Sequence, residues 1–142
     1  MNIFNKNFVF YFGSFLLISL LLFLLNQKMN YTYEAKNNFS SFKVLSQSFL
    51  NNTNVNINDI SLERKNDINI IYNRNLLNIT INNTNFRACL KYGIEYMDSN
   101  FQSIKINEQL FTRKDVINRE KILEKCNKEN NIIILEEKME KK

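Results

Sequence analysis

Residues 8–25 contain no charged side chain and include the runs Phe15-Leu16-Leu17-Ile18 and Leu20-Leu21-Leu22-Phe23-Leu24-Leu25. A segment this apolar must be covered either by protein or by lipid, and that choice constrains everything downstream. As a helix rising ~1.5 Å per residue it reaches roughly 27 Å, close to the ~30 Å hydrocarbon thickness of a bilayer. Apolar residues make up 44% of the 142-residue chain, but they crowd its first 25 positions, and the remainder offers too little apolar surface to wrap such a helix. Phe15, Leu16, Leu17, Ile18, Leu21, Leu22 and Phe23 are therefore read as the core of a single membrane span. Lys6 precedes the run as in a secretory signal, but Leu24-Leu25-Asn26-Gln27-Lys28 has no small-x-small cleavage pattern, which favours an uncleaved anchor. Charge does not orient the span, because Lys6 stands before it while Lys28 and Lys36 stand after it.

Beyond the span, Ala35, Phe39, Phe42, Leu45 and Phe49 recur at spacings of three and four, which puts them on one face of a helix. No Pro or Gly interrupts residues 14–50, so the spacing predicts one rod, lipid-embedded first and amphipathic after residue 26. The Asn-rich residues 51–58 should end it, since Asn side chains compete for backbone hydrogen bonds.

Alternating apolar and polar residues at 68–72 and 77–81, around a turn at 73–75, predict a hairpin. Phe86, Leu90, Ile94 and Met97 return to helical spacing, with Thr84 or Asn85 as cap. Residues 101–106 and 110–111 form a second candidate hairpin turning at Asn107 and Glu108. A short helix is expected at 118–126, a buried strand at 132–135, and a charged, frayed tail from Glu136 onward. The sum is an α+β layout: a long N-terminal helix with its apolar face laid on a small antiparallel sheet. It divides into residues 1–25 (N-terminus and span), 26–50 (amphipathic extension), 51–137 (extracytoplasmic domain) and 138–142 (charged tail).

The chemistry of catalysis is sparse. With no histidine, Ser-His and Cys-His couples are excluded, and the two glycines, Gly13 and Gly93, cannot build a phosphate-cradling loop. Glu95 and Asp98 stand three apart on an expected helix, a spacing that marks a solvated face. Tyr92 and Tyr96 beside Lys91 read as helix surface and core edge rather than a nucleic-acid platform. The net charge of +5 is spread among acids, as in Glu63-Arg64-Lys65, which fits a mixed solvated surface. The abundance of Asn, with its chance sequons such as Asn78-Ile79-Thr80, is read as AT-rich codon usage. Cys89 and Cys126 cannot complete a zinc site alone. They are open to two readings, a pair of buried thiols or one disulfide closing a loop of about 36 residues; the latter suits a thin core in an oxidising compartment. No enzyme activity, metal, cofactor, nucleic acid or small-molecule substrate is expected.

Cys89-Leu90-Lys91-Tyr92, Asn100-Phe101-Gln102-Ser103-Ile104-Lys105-Ile106-Asn107, and Cys126-Asn127 followed by Asn130-Asn131-Ile132-Ile133-Ile134-Leu135 resemble, in that order, the C-terminal half of type IVb pilins. In that family a helix begins at a cysteine and leads to a Phe-x-x-Ile/Val-x-Val/Ile-Asn strand. A short helix ending at the second cysteine and a final apolar strand follow. The resemblance implies a Cys89–Cys126 disulfide stapling the C-terminal region, with an exposed variable surface between the two. It further implies anchorage in a bacterial inner membrane with the C-terminal domain in the periplasm, the span doubling as an assembly surface, and other pilin or pilus-assembly subunits as partners, in addition to the lipid bilayer.

Prepilins carry a glycine before the mature start and a glutamate at the fifth mature position. Gly13-Ser14 is the candidate junction here and Ile18 stands fifth after it, so the implied role is a minor pilin or pilin-like accessory rather than a major subunit. A single-pass scaffold of a bacterial envelope complex is the alternative.

Overall fold

The computed structural model describes residues 3–53, 55–115, 118–127 and 129–138. Its first element, α1, runs unbroken from Ile3–Leu50. At ~1.5 Å per residue such a helix is roughly 70 Å long. It ends where Asn52 enters the left-handed region at φ 53° and Thr53 N–H donates back to the Ser48 carbonyl at 2.9 Å, which satisfies a terminal carbonyl.

The chain then doubles back along α1. Two single turns of 3-10 helix, Ile57–Asp59 and Lys65–Asp67, punctuate this return. Ser41 Oγ donates to Ser61 O at 3.1 Å, and Asn38 grips Glu63 further down the helix.

Five strands follow: β1 (Ile68–Tyr72), β2 (Leu76–Thr84), β3 (Ser103–Ile106), β4 (Gln109–Thr112) and β5 (Asn131–Lys138). They form one antiparallel sheet in the order β1-β2-β5-β3-β4. Helices α2 (Phe86–Met97) and α3 (Arg119–Lys125) are the excursions between strands. Each opens on an asparagine cap: Asn85 Oδ1 accepts from Ala88 N, and Asn118 Oδ1 from Lys121 N, both at 2.9 Å.

Strand register shows why one sheet face is the core. Ile79 on β2, Leu135 on β5 and Ile104 on β3 lie side by side, and Ile81, Ile133 and Ile106 form the next row, all buried beneath α1 and α2. Residues between them point outward, so Ile132 is exposed; the expected strand at 132–135 is buried on one face only. Strand β2 also runs past the expected end at residue 81, through an irregularity at Asn83 (φ 53°), to Thr84.

The charged tail needs the larger correction. Glu136, Glu137 and Lys138 belong to β5, where Leu76, Leu77 and Asn78 of β2 pair with them. Residues 139–142 of that expected tail lie outside the described residues.

Candidate functional site: a helix with two environments

Between Phe10 and Leu25 the large apolar side chains of α1 are exposed. Phe15, Leu16, Leu17, Ile18, Leu21, Leu22 and Phe23 are all exposed, as are the neighbouring Phe10 (73%) and Tyr11 (71%). From Phe10 the helix is long and apolar enough to cross a membrane, and its most apolar window is 0% buried in the fold. Leaving one large apolar side chain in water instead of burying it forfeits about 1.5–3 kcal/mol, so this surface demands a non-aqueous neighbour. A side-chain carbon at Gly13 would meet nothing within 4 Å, while the Ser14 hydroxyl donates back to Phe10 O at 2.8 Å, so its proton needs no partner outside the helix.

The second half is the spine of the domain core. Ala35, Phe39, Phe42, Leu45 and Phe49 are all buried. Phe39 meets Tyr92 and Phe101 with ring centroids 6.4 and 6.0 Å apart, Phe42 stacks on Tyr92 at 6.3 Å, and Phe49 meets Tyr72 edge-on at 5.8 Å. Tyr92 and Tyr96 thus lie inside the core rather than on its edge. Burial pushes the Tyr92 phenol up to about 12, against the easing effect of its hydrogen bond with Asn38.

Asn38 is, with Ser46, one of two buried polar side chains among the described residues of α1. Its amide donates to the Tyr92 hydroxyl at 3.2 Å and to Glu63 O at 3.1 Å, while its carbonyl accepts from Glu63 N at 2.8 Å. One side chain therefore fixes helix, return segment and α2 together. Beside it Glu95 takes ion pairs from Lys91 (2.8 Å) and Lys43 (3.6 Å). Desolvation raises the Glu95 carboxyl, but the two lysines outweigh it and hold the group below its ordinary value. Asp98, three residues on, is exposed, whereas Glu95 is half-buried.

Cys89 and Cys126 are joined in a disulfide, with Cα atoms 5.9 Å apart. It ties the end of α3 to the first half of α2, and a side-chain carbon at Gly93 would run into the Cγ2 of Ile122. Next to the bridge, fully buried Asn131 donates to Thr84 O (3.0 Å) and Asn127 O (2.9 Å) and accepts from Asn127 N (2.6 Å) and Asn107 Nδ2 (3.0 Å). Asn107, at φ 54°, also donates to Lys125 O at 2.7 Å. This asparagine pair ties β2, the β3–β4 turn, α3 and β5 into one piece. Composition gave no sign of it, because an Asn-rich chain hides which asparagines are hubs.

Glu137 is the other residue that sequence reasoning missed. It is 2% exposed, faces the core beside Leu77, and burial raises its carboxyl above the ordinary value, with Arg113, Gln102 and Ser46 easing the shift. Ser46 sits close enough to help, yet neither Ser46 Oγ nor Glu137 Oε2 completes a hydrogen bond of normal geometry. Among the described residues no three His, Cys, Asp or Glu side chains gather as a metal site.

No family model matches the chain, and neither a curated protein nor a solved structure does.

Proposed function

We propose that this chain is a minor pilin or pilin-like accessory subunit of a type IVb pilus or related secretion filament, working by assembly rather than catalysis. It sits in the bacterial inner membrane as a single-pass protein with its C-terminal domain in the periplasm, and its partners are other pilin or pilus-assembly subunits.

The observation that carries this reading is the continuity of α1. One helix is apolar and uncovered in its first half, then serves in its second half as the spine of a small sheet domain whose C-terminal region a disulfide closes. The outward side of that second half keeps Met29, Tyr33, Val44 and Leu50 exposed, a discontinuous apolar stripe against which a neighbouring helix could lie. The resemblance to type IVb pilins is supported by element order: a cysteine near the start of α2, the Ile104-x-Ile106-Asn107 strand and turn, and a second cysteine capping α3 before the last strand.

The test is the intact mass of the protein taken from its native membrane without reductant and in the presence of a thiol alkylator. A chain two hydrogens light with Cys89 and Cys126 unalkylated, starting at Met1 or Ser14, is the expected result. Two alkylated cysteines would place the domain in a reducing compartment, overturn the pilin reading and leave the envelope scaffold in its place.

A further inference from the structure

Where α1 packs on the end of β5, two side chains are each 2% exposed and carry an oxygen with no hydrogen-bond partner among the described residues: Ser46 Oγ and Glu137 Oε2. Buried polar atoms are nearly always paired, either within the protein or with ordered water. Two orphaned oxygens beside one another therefore call for a third partner.

The surroundings of Glu137 do not supply it. Arg113 directs its Nε to Phe101 O at 2.9 Å, and the Tyr96 hydroxyl donates to Gln102 O at 3.2 Å. Leu77, its neighbour across the strands, has no polar side chain.

Ser46 also borders a recess of about 140 Å³, together with Gln47 on α1 and Asp98, Ser99 and Asn100 after α2. A water needs roughly 10–15 Å³ and two to four polar partners, so the recess has room for several. Its charged residues are Asp98 and Lys43, and Lys43 is drawn toward Glu95 at 3.6 Å. The Ser99 hydroxyl is taken up by Tyr96 O at 2.8 Å, which leaves Ser46, Gln47 and Asn100 as neutral polar groups facing this space. Ser46 is the residue that touches both the recess and the Glu137 carboxyl.

We propose that this recess is a hydration site and that Ser46 relays protons between it and Glu137. The Ser46 hydroxyl donates to the Glu137 carboxylate and accepts from a water held in the recess. A proton arriving there as hydronium passes to Ser46 Oγ while the serine's own hydroxyl proton moves to Glu137 Oε2. Water, a neutral serine and a carboxylic acid remain. The seam between α1 and β5 thus communicates with the pH of the medium although both side chains are buried. The inference rests on packing inside the domain, and on neither the membrane span nor the filament role.

The experiment uses the full chain in detergent micelles, with the glutamate carboxyl carbons labelled with carbon-13, and follows Glu137 by NMR across a pH series. In the parent its midpoint is expected above the ordinary 4.5, with magnetisation transfer from a long-lived water to the Ser46 β-protons. Ser46→Ala removes a hydrogen bond that favours the ionised carboxyl, so the midpoint should move further up, whereas Ser46→Thr keeps the hydroxyl and should stay near the parent. An unchanged midpoint in Ser46→Ala, or equal shifts in both variants, overturns the relay. Absence of the water signal at Ser46 in the parent overturns the hydration site, and that reading requires no variant to fold.

Discussion

Among the described residues, the non-glycine positions with positive φ are Asn52, Asn83, Asn107, Asn130 and Arg64. The chain has two glycines and no proline, so its tight turns must use L-residues, and asparagine tolerates the left-handed region better than most. Part of the asparagine excess is thus structural, which the run-like composition concealed. Asn131→Ala removes the acceptor and donors that bind Thr84, Asn107 and Asn127 in a buried setting. It should lower unfolding free energy by on the order of 2–4 kcal/mol, measured by urea titration in detergent micelles. Gly93 is constrained differently, by space. Gly93→Ala drives a methyl into Ile122, and α3 cannot slide away because the disulfide tethers its end. A loss of about 1–3 kcal/mol is expected, and Ile122→Ala should cost less in that background than in the parent, a coupling that the double-mutant cycle reads directly.

At the scale of elements, the hairpins and α1 were legible because periods of 2 and 3.6 follow from burial on one face, whereas on α2 the periodic Phe86, Leu90, Ile94 and Met97 flank the buried face of Ala88, Cys89, Tyr92, Gly93 and Tyr96, and Met97 is exposed. The core face of α1, from Ala35 to Phe49, could be read for that reason. The end of β5 could not, because Glu136, Glu137 and Lys138 look like a solvated tail. Cross-strand pairing keeps them in the sheet and turns Glu137 inward. That burial gives a pH signature. The Glu137 carboxyl is raised above its ordinary 4.5, so just above that value the folded chain holds a proton that the unfolded chain has lost. Its contribution falls as pH climbs from about 4.5 through the raised folded value, and the loss then levels off. Ser46 on α1, Tyr96 on α2, and Gln102 and Arg113 beside β3 and β4 are the groups around it. Glu137→Gln should therefore be more stable than the parent at neutral pH, with the difference shrinking toward pH 4, as followed by thermal unfolding across a pH series.

For the whole molecule, the disulfide and the aromatic core divide the work of holding a small domain together. The bridge spans 37 positions in sequence, and in the chain-entropy model it restricts the unfolded chain by about 3–4 kcal/mol. Replacing Cys89 and Cys126 together with serine should lower the urea midpoint by the equivalent of that amount, whereas the stretch of α1 from Phe15 to Leu25, whose large apolar side chains are exposed, should keep its helicity by circular dichroism. The sequence contained both cysteines but left thiols and disulfide as rival readings. Only the approach of α3 to α2 joins them, and that approach depends on Gly93 and on the asparagine hub, neither of which has a periodic signal.

The strand order gives the last word to timing. β5 is the final described strand along the chain, yet it lies in the middle of the sheet, between β2 and β3. Until residues 131–138 have left the ribosome, the hairpin of β1 and β2 and the hairpin of β3 and β4 have no strand to join them, and each shows an unpaired edge. The span at residues 8–25 is made long before, so a membrane can receive the helix while the domain is still two separate hairpins. Sheet closure therefore waits for β5, and the stretch of synthesis before it is when the two hairpin edges are most open to wrong pairing with another copy of the chain.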